Sequence, residues 1–85
     1  MRIRLRMFAS LRELTGWDDQ LMDISAQQMT LAELRVLLSE RGDHWAAALD
    51  RTRAVRGAIN QRMAQETDFI HDGDEVAFFP PVTGG

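Results

Sequence analysis

The side chains that could do chemistry in this chain are few, and they do not gather into a site. His71-Asp72-Gly73-Asp74-Glu75 is the stretch where metal-ligating groups crowd most. It lacks the further ligands of a calcium loop and reads as a polar turn, so no metal is expected. Asp18, Asp19 and Asp23 are carboxylates without a partner constellation, and His44 falls on the surface in the first turn of a short helix. Cysteine is absent, which excludes disulfides, thiolate zinc and a cysteine nucleophile. Any sulfur chemistry must then use sulfur carried on something other than a thiol side chain. Lysine is absent too: all basic side chains are arginine, so the chain is not suited to forming a lysine-linked polymer of itself.

What remains is a backbone group, the carboxylate that ends Phe78-Phe79-Pro80-Pro81-Val82-Thr83-Gly84-Gly85. Pro80 and Pro81 have fixed φ and no N–H, so a sheet must stop there and the chain must leave it extended. Six residues, 80–85, span at most roughly 20 Å, enough to cross a partner's surface and enter a buried pocket. Gly84 and Gly85 have no Cβ, fit a narrow channel and leave the carboxylate unhindered. A free carboxylate repels nucleophiles; activation as an acyl-adenylate would make it reactive.

The rest of the chain must mount that arm. Eighty-five residues make one domain with one core, and 45% apolar with 27% charged residues is an ordinary soluble balance. A net charge of −3 argues against a general nucleic-acid binder. No apolar run is long enough for a membrane span or a secretory segment, so a cytoplasmic protein is expected. Residues 2–8 alternate with period two, sending Ile3, Leu5 and Met7 inward and Arg2, Arg4, Arg6 and Phe8 outward. The arginine row reads as the solvated face of a strand.

Ser10 to Glu13 has capping-box spacing, and Gly16 ends that turn. Residues 19–25 predict a strand carrying Leu21 and Ile24. Thr30 to Glu33 is a second capping box before a helix with Leu31, Leu34 and Leu38 inward, Leu37 widening the stripe and Gly42 at its end. Asp43 caps a shorter turn holding Trp45 and Leu49. A strand over 54–60 places Val55 and Ile59 on one face and Ala54, Arg56 and Ala58 on the other. Asn60-Gln61 turns into a short 62–64 segment, and Asp72-Gly73-Asp74 turns into a last strand, 75–79, with Val76 and Phe78 inward and Ala77 and Phe79 outward.

One main helix on one face of a mixed sheet is an α+β, β-grasp arrangement, comprising residues 1–79 with the arm, 80–85, ending flexibly at Gly-Gly. The first and last strands are expected side by side. Phe8 and Phe79, with Ala77 and Met63, then form an apolar docking patch on the face without the helix.

Residues 72–85, DGDEVAFFPPVTGG, closely resemble the C-terminus of the MoaD family, the ubiquitin-like sulfur carriers that are small subunits of molybdopterin synthase. Phe8-Ala9-Ser10-Leu11-Arg12-Glu13-Leu14, Trp45-Ala46-Ala47-Ala48-Leu49 and Ala58-Ile59-Asn60-Gln61 agree in the same order; residues 17–30 carry no distinctive match. The resemblance implies a non-catalytic carrier with no stably bound cofactor. Gly85 would be adenylated with ATP by a MoeB-like activating enzyme, and sulfur from a persulfide donor protein would displace AMP, leaving a thiocarboxylate. The arm, with Pro80, Pro81, Val82, Thr83 and Gly84, would enter a MoaE-family large subunit in a heterotetramer. There it would deliver sulfur to cyclic pyranopterin monophosphate, two deliveries creating the dithiolene of molybdopterin. The thiamine-thiazole sulfur carrier and a ubiquitin-like protein modifier share the fold and the Gly-Gly end. The aromatic-diproline stretch favours the molybdopterin member.

Overall fold

The alternation at the start of the chain becomes β1 (Arg2–Met7), in which Ile3, Leu5 and Met7 are buried to within 1% exposure and the arginines face away. The computed structural model describes residues 1–50 and 52–81. β1 pairs antiparallel with β2 (Asp19–Asp23) and parallel with β7 (Glu75–Phe79). β7 pairs antiparallel with β4 (Arg56–Ile59), which turns back through β5 (Arg62–Ala64). The five-stranded order is therefore β2-β1-β7-β4-β5, with first and last strands adjacent, as the sequence predicts. Asn60 and Gln61 both take positive φ, 51° and 67°, the backbone of a two-residue hairpin loop.

Three helices, α1 (Ala9–Thr15), α2 (Leu31–Ser39) and α3 (Asp43–Leu49), contribute Leu11, Leu31, Leu34, Leu38, Trp45, Ala48 and Leu49 to one core. That core also holds Ile3, Leu5, Met7, Val76 and Phe78, so the helices cover a single face of the sheet in the α+β, β-grasp manner. The capping box of α2 is complete: Glu33 N donates to Thr30 Oγ1 at 3.1 Å and Thr30 N donates to Glu33 Oε1 at 3.0 Å. No helix of the described residues is long and apolar enough to cross a membrane.

Several local expectations are corrected. α1 begins at Ala9 with Phe8 as its N-cap and no side-chain cap, so Ser10 is not the capping residue. Phe8 N donates to Phe78 O at 3.1 Å, which holds Phe8 extended against the sheet and forces the chain to turn at once. Leu21 is 60% exposed, while Met22 and Ile24 are buried. Pairing of Ile3 with Met22 sets this parity, and Leu21 faces away from the core opposite Arg4. Leu37 does not widen the core stripe; it is 41% exposed, and the buried position beside Leu31, Leu34 and Leu38 belongs to Arg35. Gly42 does not end α2, which stops at Ser39 with Glu40 as cap; it is the N-cap of α3, at φ 150°, and Asp43 is the first helical residue. The sequence gives no sign of the second sheet, β3 (Gln28–Thr30) with β6 (Phe69–His71), in which Ile70 is wholly buried.

Leu31 at the start of α2 packs directly over Gly57 in β4. A Cβ there would lie 2.6 Å from Leu31 Cδ2, and Leu31 is buried. Gly57→Val is expected to destabilise the fold by about 1–3 kcal/mol through overpacking, read as a lower denaturant midpoint with an unchanged slope.

Candidate functional site

β7 is the strand that carries the chain out of the domain. Its inner residues Val76 and Phe78 are locked in the core, and its last rung pairs Phe79 with Arg56. Pro80 and Pro81 follow, half-buried, and supply no donors for another rung. They line a cleft of about 290 Å³ with Ser10 and Leu11 of α1 and Arg53, Ala54 and Val55 from the connection before β4. The arm is thus seated at its root between two elements. Val82, Thr83, Gly84 and Gly85, which the sequence assigns to its working end, lie outside the described residues.

On the sheet face away from the helices, register sets Arg6 beside Ala77, Ala77 beside Ala58 and Ala58 beside Met63. Ala58 and Ala77 are buried to 8–9% exposure, whereas Met63 is 59% exposed. Phe79 is half-buried two residues beyond Ala77. Phe8 is half-buried just past Met7, the β1 residue paired with Phe78. The structure therefore brings Phe8, Met63 and Phe79 to one face around a shallow alanine floor. Met63 is a surface residue and not core filler.

Arg6 contributes a charge to that face beside Phe8. Its guanidinium carbon lies 5.0 Å from the Phe8 ring centre, with Asp19 at 3.7 Å and Glu75 at 3.6 Å from its nitrogens. Asp19 and Asp23, read as carboxylates without partners, are paired: Arg4 Nε donates to Asp19 and Arg2 Nε to Asp23, each at 2.7 Å. The acidic turn is also internally committed. Arg2 N donates to Asp72 Oδ1, His71 N to Asp74 Oδ2 and Asn60 Nδ2 to Asp74 Oδ1, while Asn60 Oδ1 accepts from Glu75 N. Asn60 thereby ties the β4–β5 hairpin to the start of β7. Sequence reasoning missed this clamp, although Asn60 stands in one of the segments that carry the resemblance.

The Arg4 hydrogen bond is the chief cause holding the Asp19 carboxyl below the ordinary carboxylate range, and that of Arg2 does the same for Asp23. A depressed folded value means that the stability contribution is present above the unfolded value of about 3.9 and is lost as pH falls through the folded one. Carboxyl titrations followed by NMR are expected to give midpoints below that value for both residues. Asp19→Asn is expected to flatten the loss of stability on acidification.

Three comparisons bear on this arrangement. The family model described as ThiS family matches residues 5–85. The molybdopterin synthase sulfur carrier subunit of Escherichia coli (strain K12) is 41% identical over 83 residues, covering 98% of this chain and 99% of that protein. Among solved structures, SAMP1 from Haloferax volcanii superposes with a TM-score of 0.75 at 23% identity, each chain covered in full. A chain of the complex of subunits 1 and 2 of the molybdopterin-converting factor from Helicobacter pylori 26695 gives 0.63 at 24%, again with full coverage of both. The two structural likenesses speak to the fold.

Proposed function

The chain belongs to the ThiS family, alongside molybdopterin synthase sulfur carrier subunits, and from that premise we propose that it is itself such a carrier. The observation that carries the reading is likeness over the whole chain together with an aromatic-diproline exit from the sheet into Val82-Thr83-Gly84-Gly85. The chain supplies a presented carbonyl carbon, and partners supply the chemistry.

In this cycle a Gly85 carboxylate oxygen attacks the α-phosphorus of ATP on a MoeB-like activating enzyme, and pyrophosphate leaves. The outer sulfur of a donor persulfide then attacks the acyl carbon and expels AMP, giving an acyl disulfide. A second thiol on the loading partners cleaves its S–S bond, ending as a disulfide and releasing the thiocarboxylate. The arm enters the active site of a MoaE-family large subunit, in a cytoplasmic heterotetramer, and gives its sulfur to cyclic pyranopterin monophosphate. Gly84 keeps the channel narrow, Val82 and Thr83 span it, and Pro80 and Pro81 hold the arm clear of the sheet. ATP is consumed by the activating enzyme, and the carrier keeps no resident cofactor.

Phe8, Met63 and Phe79 form the docking face that both partners use in turn. Each buried side chain of this size contributes about 1.5–3 kcal/mol. Phe79→Glu is expected to weaken binding to the activating enzyme and to the large subunit about tenfold or more, with the melting temperature preserved because the ring is only half-buried. Unchanged affinities by titration calorimetry would remove the patch from the mechanism. The carrier reading itself is tested by intact-mass spectrometry after incubation with ATP, the activating enzyme and a sulfur source. Exchange of one oxygen for sulfur at the terminus is expected, and deletion of Gly85 should abolish it without lowering the melting temperature. Loading that survives the deletion would overturn the assignment.

A further inference from the structure

We infer that Arg35 is a positioning residue for the carrier arm, fixing through backbone carbonyls the wall on which the arm's root is seated. This role rests on the carrier reading above. Arg35 lies on the core side of α2 and is only 6% exposed. Its Nε donates to Leu49 O at 2.8 Å, its Nη2 to Asp50 O at 2.6 Å and to Arg53 O at 2.8 Å, and its Nη1 to Glu66 Oε1 at 3.1 Å. One planar fork therefore gathers the end of α3 and the connection that follows it, and ties both to the segment before β6. A lysine has no such fork.

Burying a guanidinium is costly, and a well-packed apolar side chain at such a position is often as stable or more so. Stability alone thus does not account for the residue, whereas the carbonyls it holds do. Within the same connection Arg53 N donates to Asp50 O and Val55 N to Arg53 O, so its geometry follows from where Arg35 places it. Arg53, Ala54 and Val55 then form one wall of the cleft that Pro80 and Pro81 line, and the next residue, Arg56, makes the last rung with Phe79. Both the end of β7 and the seat of the diproline are set by the segment that Arg35 holds. Because the prolines fix φ, an error at the root is carried outward. A tilt of about 10° over the roughly 7 Å of the two prolines displaces their far end by about 1 Å. Misplacing a reacting group by about 1 Å can cost about a hundredfold in rate.

The test uses the full-length chain, thiocarboxylated, with the large catalytic subunit. Arg35→Met and Arg35→Lys are compared with wild type for melting temperature, partner affinity and single-turnover sulfur delivery at saturating partner. In folded variants, affinity is expected to stay within about threefold, since Phe8, Met63 and Phe79 are all retained, while the saturated rate falls about tenfold or more. Folded variants with wild-type saturated rates, or rates that fall only as far as affinity does, would overturn the role. Should both variants fail to fold, hydrogen exchange on the wild type decides. The Arg53 and Val55 amides are expected to be protected as strongly as β4, and free exchange there would overturn the role. A wild type that delivers no sulfur overturns the carrier reading and this role with it; an active wild type matched by its variants overturns the role alone.

Discussion

β7 is paired on both sides as far as Phe78 and with β4 alone at Phe79, and beyond it the two prolines offer no N–H. Its register cannot slip, because a shift of one residue would turn Val76 and Phe78 out of the core and bring Ala77 and Phe79 in. Pro80 and Pro81 then deny the sheet two consecutive donors. The position at which the chain leaves the domain is consequently fixed by the most deeply buried part of the fold. The parallel β1–β7 contact, the β4–β5 hairpin clamped by Asn60 and the single helix-covered face all support that exit.

The two faces of the sheet divide the work. One face buries Ile3, Leu5, Met7, Val76 and Phe78 against three helices and supplies most of the stability an 85-residue chain can have. The other keeps small residues, Ala58 and Ala77, where a bulky side chain would make a ridge, and leaves Met63 exposed beside them. The arginine–aspartate pairs along β1 and β2 are exposed and contribute little to stability. They nevertheless hold the charges of that half of the face in fixed places. On the carrier reading, substitution on this face would therefore affect recognition more than folding.

What could be read from the sequence was whatever repeats with a period or punctuates the chain. Ile3, Leu5 and Met7, then Val76 and Phe78, announced their strands, and Thr30 with Glu33 announced the helix start, because each pattern is local. The β-grasp order and the adjacency of the first and last strands followed from counting elements. Illegible were features defined by contacts far apart in the chain. The β3–β6 pairing rests on strands of three residues, too short to alternate visibly. Met22, rather than Leu21, faces inward because Ile3 chooses between them. Arg35 has one sequence signal, a position four after Leu31 and three before Leu38, on the core stripe. The Gly84–Gly85 terminus is readable in sequence alone.

Keeping chemistry apart from fold has a further consequence on the carrier reading. A face of a few anchors worth about 1.5–3 kcal/mol each, set against the cost of association, gives complexes near the micromolar range, about −8 kcal/mol. Such complexes form and dissolve quickly enough for successive partners. Loading changes one atom at the tip and leaves Phe8, Met63 and Phe79 as they were. The face therefore cannot distinguish a loaded carrier from an empty one. That discrimination must fall to the pocket that receives the tip, where sulfur and oxygen differ in size and in hydrogen bonding. Affinity and selectivity are then set at opposite ends of the arm, joined only by the geometry of its root.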